Sequence, residues 1–150
     1  MTPLSALAVS AGLLLAPLTA TAQDRPMTTD ASGSVSETVA ALSAAIEGAG
    51  AKVFAVIDHG AGAQAVGEDV GGMQLVVFGN PALGTPAILD DPMAGLHLPL
   101  KVLVYQDARG GTQMAWETPE AMLAGLTIPA DAAYLAKMAG ALATLTSAAR

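Results

Sequence analysis

Phe78-Gly79-Asn80-Pro81-Ala82-Leu83-Gly84-Thr85-Pro86, followed shortly by Leu98-Pro99-Leu100-Lys101-Val102-Leu103-Val104-Tyr105, decides how this chain folds. An apolar strand from Met73 to Phe78 runs into Gly, Asn and Pro, and a second strand, Leu98 to Gln106, opens with Pro. Gly reaches positive φ, Pro fixes φ and Asn bonds its own backbone, so the three together turn a chain. The aliphatic residues among the turn formers of Pro81 to Leu96 mark an ordered connection rather than a linker.

Working outward, Lys52 to Asp58 is β-branched and aromatic, is bounded by Gly50 and Gly60, and reads as another strand. Between it and Met73, residues Ala61 to Val70 fit either a short helix or a loop. Upstream, Ser34-Val35-Ser36-Glu37 has the capping-box pattern. Val35, Val39, Leu42 and Ile46 follow at helical spacing, and Gly48 and Gly50 end that helix. Downstream, Asp107 to Gly111 turns the chain into an antiparallel partner strand, Thr112 to Glu117. Thr118-Pro119-Glu120 starts a short helix, and Pro129 to Asp131 opens the last one. This order predicts an α+β class, a small single-domain sandwich with a mostly antiparallel sheet covered by helices on one face.

The first part of the chain reads as an export signal. Leu4 to Leu18 is apolar apart from two serines, and Ala20-Thr21-Ala22 supplies a small-x-small cleavage site. The run is too short, and too broken by Pro17, for the roughly 20 residues that span a bilayer. Residues 1–22 are therefore expected to be a cleaved secretory signal peptide and 23–33 a polar linker or short first strand, with the domain in 34–150. The expected location is periplasmic or secreted, with no stable membrane insertion after cleavage. All 6 basic and 13 acidic residues follow Ala22, so the net charge of −7 belongs to the mature part. Nucleic acid is a poor partner for such a chain, because phosphate binding needs clustered Lys and Arg. With no Cys, disulfides and thiolate chemistry are excluded.

Few groups can carry chemistry. Gly60-Ala61-Gly62 lacks the third glycine of a dinucleotide loop at the right spacing, and no serine sits in a nucleophile elbow. Glu68-Asp69 reads as a solvated pair, and Asp91-Pro92 as a turn start. His59 and His97 are the only histidines. Imidazole and thioether ligands suit copper or haem, so the two form a candidate metal set if folding brings them together.

The combination of Ser36-Glu37-Thr38-Val39, Asp58-His59, Phe78-Gly79-Asn80-Pro81, Gly84-Thr85, Leu98 to Val104 and Ala133-Tyr134-Leu135-Ala136 resembles the family known as domain of unknown function 302. The likeness runs from about Ser36 to the final helix. It implies a small α/β domain, often carrying a signal peptide, with no established general enzymatic activity. It draws attention to His59, Asn80, Pro81, Gly84, Thr85 and Lys101 as members of a recurring pattern. The glycine-rich Gly60-Ala61-Gly62, the segment Glu68 to Gly72, and His97 depart from that pattern.

The leading expectation is a non-enzymatic module binding a small molecule or a protein partner near His59, Asn80, Thr85 and Lys101. Self-association into a homo-oligomer is one way of completing such a site. The alternative is a periplasmic copper- or haem-binding protein using His59, with His97 or a Met. A hydrolase-like enzyme with His59 as base and Lys101 stabilising an anion comes third.

Overall fold

The computed structural model describes residues 25–150; the expected signal segment lies outside the described residues. Among the described residues five strands form one sheet: β1 (Met27–Ala31), β2 (Lys52–Asp58), β3 (Met73–Gly79), β4 (Leu100–Gln106) and β5 (Thr112–Trp116). Their spatial order is β1-β5-β4-β3-β2, and every neighbouring pair is antiparallel. The helices are α1 (Val35–Gly48), α2 (His59–Gln64), α3 (Pro81–Asp90), α4 (Ala94–His97), α5 (Pro119–Met122) and α6 (Ala133–Ala148). They cover one face of the sheet, which gives the expected α+β sandwich.

The register explains the core. Val76 stands opposite Val102, and Phe78 opposite Leu100. These side chains, with Val104 and Met114, are buried. Leu42 and Ile46 of α1 and Met138 and Leu142 of α6 complete the same apolar cluster. Residues one step away, Leu75, Val77 and Leu103, belong to the other, uncovered face, because strand side chains alternate.

Local chemistry sets the ends of the helices. Ser34 caps α1: its Oγ accepts from the Glu37 amide at 3.3 Å, and the Glu37 carboxylate accepts from the Ser34 amide at 2.8 Å. Those Ser34 contacts, the side-chain bond first, hold the Glu37 carboxyl below its ordinary value. Gly50 takes φ +75° just beyond the helix, where a side chain would be strained.

The connection after β3 is where structure and expectation differ most. The sequence marks a turn there, but Asn80 is the N-cap of α3 and Pro81 its first residue. Pro86 lies inside that helix and gives up an amide donor. Burial of Ala87 and packing of α3 against α6 hold the segment helical nonetheless. Residues Ala61 to Val70 also resolve: α2 takes them up to Gln64, a turn covers Ala65 to Gly67, and the remainder is irregular.

Candidate functional site

The two strand-to-helix junctions are built alike. β2 ends in Asp58, whose Oδ1 accepts from the Ala61 amide at 2.8 Å and caps α2. β3 ends before Asn80, whose Oδ1 accepts from the Ala82 amide at 3.0 Å and caps α3. Because the strands are antiparallel, the two junctions lie at opposite ends of the sheet: Asp58 pairs with Gln74, whereas Lys52 pairs with Gly79.

This placement divides the candidate residues. Asn80 and Thr85 line one cavity on the α3 side. His97 ends α4 just before β4, and Lys101 stands one residue into β4 with its Nζ donating to the His97 carbonyl at 2.8 Å. His59 opens α2 at the other end, beyond the level of Gln74 and Val104. Along β4 alone, that separates it from the start of the strand by roughly 15 Å. The four residues expected to share one surface therefore do not converge, since His59 and Asn80 follow opposite strand ends. His59 and His97 likewise do not meet, and His59 and Lys101 form no acid–base pair. No group of three or more His, Cys, Asp or Glu among the described residues is arranged to hold a metal ion.

The cavity at the Asn80 end has a volume of about 270 Å³. Phe54, Leu83, Ile88, Leu98, Leu100 and Met138 form its apolar wall, and Asn80 and Thr85 contribute polar groups. Gly79 makes room for the Phe54 ring: a β-carbon on Gly79 would stand 3.2 Å from Phe54 Cε2. Ile88, Leu89, Met93 and Leu96 are exposed on the same α3–α4 segment. Among the described residues, the lining holds no Lys, Arg, Asp or Glu.

The floor and frame of this region are anchored by two acids. Asp91 Oδ2 accepts from the Thr127 amide at 2.9 Å and its Oδ1 from the Met93 amide at 2.9 Å. Those bonds, the one to Thr127 first, depress its pKa. Asp90 Oδ2 accepts from Tyr134 Oη at 2.7 Å, tying α3 to α6. Desolvation, then the bond and charge of Asp90, push the Tyr134 phenol up to about 12.

The opposite end carries a wider groove of about 760 Å³, lined by Ser34, Asp58, Gln64, Asp69, Gln74 and Gln106 among others. Its carboxylates are already engaged. Asp58 Oδ2 accepts from Gln74 Nε2 at 3.1 Å, and Asp69 Oδ1 from the Gly71 amide at 2.9 Å.

Nothing in the sequence sets the apolar wall, from Phe54 to Met138, apart from core. Its residue types are those of ordinary core. The available signal was the aliphatic content of Leu83, Ile88, Leu89 and Leu96 in a segment without a helical stripe.

The model of the family described as "Domain of unknown function DUF302" matches residues 27–145. The chain belongs to the DUF302 family. A crystal structure of an uncharacterized conserved DUF302 protein from Bacillus stearothermophilus shares the fold, with a TM-score of 0.76 and 24% identity over 83% of this chain and 98% of that one. Curated relatives include the fluoride-specific ion channel FluC 1 of Brucella suis biovar 1 (strain 1330), 33% identical over 116 residues, 76% of this chain and 46% of that protein. FluC 1 of Brucella abortus biovar 1 (strain 9-941) is 33% identical over 116 residues, 76% of this chain and 43% of that protein. This DUF302 chain thus spans less than half the length of the curated relatives it matches. No helix among its described residues is long and apolar enough to cross a membrane.

Proposed function

We propose that this DUF302 domain is a non-enzymatic binding module, exported to the periplasm or beyond, that takes a small, mainly apolar molecule between α3, α4 and the adjoining ends of β3 and β4. The observation that carries this reading is the 270 Å³ cavity with aliphatic and aromatic walls and two polar groups, Asn80 and Thr85. Such a combination suits a ligand whose body is apolar and whose single polar end sets its orientation. Fluoride conduction, the activity in the curated relatives' names, belongs to proteins more than twice as long as the shared segment. A small hydrated anion would find no Lys or Arg counter-charge among the described residues that line this cavity.

Indole and n-octanol serve as probes, with methyl chemical shifts of Leu83, Ile88, Leu98 and Met138 as the readout. Both probes are expected to move those signals saturably. Gly84→Leu is the decisive variant. A β-carbon there meets only Leu98 Cδ1 at 3.5 Å, an ordinary contact, so the rest of the leucine fills the cavity. Affinity should fall about tenfold or more, corresponding to about 1.4 kcal/mol. Shifts that are absent, or that survive Gly84→Leu unchanged, refute the cavity as the binding site.

A further inference from the structure

Among the described residues, β2 is an edge strand of the sheet. Its side chains are open on both faces: Phe54 is 49% exposed, Val56 45% and Ile57 44%. Outward N–H and C=O groups on an edge template pairing with another chain, so edges are ordinarily blunted by charge, Pro, a bulge or a cover. Here the stretch Val53-Phe54-Ala55-Val56-Ile57 carries neither charge nor Pro. The irregularity between Val53 and Ala55 disturbs only the first half, and Ala55 to Asp58 pairs regularly with β3. The two charges stand at the ends, Lys52 at one and Asp58 at the other.

We propose that β2 pairs antiparallel with β2 of a second copy of this chain about a two-fold axis, joining two five-stranded sheets into one continuous sheet. A two-fold axis through an edge generates antiparallel pairing of a strand with itself. With Val56 on the axis, Ala55 meets Ile57 of the partner subunit. Both belong to the uncovered face, because they pair with Val77 and Leu75. Lys52 then lies about one strand step, ~3.4 Å, from the level of Asp58 of the partner subunit. The end charges attract across the seam, whereas parallel pairing would set Lys beside Lys. A single strand pair is a small interface, under about 1,200 Å² in total, so the dimer forms reversibly with concentration. Lys52 and Val56 do not line the α3–α4 cavity, and the outcome is independent of the ligand reading.

Sedimentation velocity of the full chain, from low micromolar to several hundred micromolar, tests this. A reversible monomer–dimer equilibrium is expected, with backbone amides of β2 gaining hydrogen-exchange protection as concentration rises. Val56→Lys places two ammonium groups on the axis and should raise the dissociation constant about tenfold or more, with circular dichroism unchanged. Lys52→Glu should weaken the dimer less, and most at low salt; it also serves if the first variant misfolds. A chain that stays monomeric overturns the proposal and leaves the edge to a strand from a different protein. A dimer indifferent to both variants also overturns it, because the copies then meet on another surface.

Discussion

The two ends of the sheet begin from the same device and arrive at different surfaces. At each, a strand stops, an Asx side chain caps the next amide turn, and a helix starts: Asp58 before α2, Asn80 before α3. After Asp58 come His-Gly-Ala-Gly-Ala-Gln, small and polar, and the result is an open groove whose carboxylates bond nearby amides and Gln74. After Asn80 come Pro, Leu, Pro, Ile and Leu among smaller residues, and the result is an apolar-walled cavity, likewise open to solvent, with Met138 of α6 in its lining. The cap determines where a helix begins. The side chains that follow determine whether the groove at the junction is polar or apolar.

The comparison can be broken hardest at Met138, which is 1% exposed and serves both the core and the cavity wall. Met138→Ala should cost about 2–5 kcal/mol in chemical denaturation and alter octanol affinity. No single change at the polar end should move both readouts, so an unaltered affinity would separate cavity from core. Next comes Gly60, where an added β-carbon would stand 2.8 Å from the Gly71 carbonyl oxygen. Gly60→Ala should destabilise by about 1–3 kcal/mol. Gly84→Ala at the other end should be neutral or stabilising by up to about 1 kcal/mol, because Gly is the poorer helix former. Equal effects at the two glycines would show that the polar end is as loosely packed as the apolar one.

The caps themselves should prove equivalent. Asp58→Ala and Asn80→Ala should each lower stability by about 1 kcal/mol, while probe affinity falls only for Asn80→Ala. The smallest effect concerns Tyr134. In a Tyr105→Phe background, its phenolate absorbance should titrate near pH 12 rather than its ordinary 10, and Asp90→Asn should bring it down. Because the folded state favours the protonated phenol, the associated stability is full below about pH 10 and lost as pH rises through about 12. Asp91 has the opposite sign. Its depressed pKa contributes stability above its ordinary 3.8, and that contribution is lost as acid protonates the folded carboxylate.

Much of this fold was legible in the linear pattern. The reciprocal Ser34–Glu37 bonds and the spacing of Val39, Leu42 and Ile46 describe α1 without reference to the rest of the molecule. The β2, β3 and β4 runs and the Asp107–Gly111 turn likewise carry their own signals. The α3 helix was not legible. Gly84 and Pro86 argue locally for a turn, and what outweighs them is contact with α6, more than 40 residues further along. The candidate site was legible in part: Asn80 and Thr85 line the cavity, while His59 belongs to the other end. Sequence shows that His59 follows a strand and that Asn80 follows a strand. It does not show that the two strands run in opposite directions.

The fold class is written in the linear chain, because alternation, capping and turn chemistry act over a few residues and leave their periods there. The sequence also shows that these residues include no thiol and carry a net charge of −7. Long-range pairing sets which strand ends are neighbours, that Leu83, Ile88, Leu98 and Met138 line one cavity, and that the apolar β2 lies at an edge of the described sheet. Those properties depend on pairing between distant segments, and a side chain's type is the same whether it fills a core, lines a cavity or faces water.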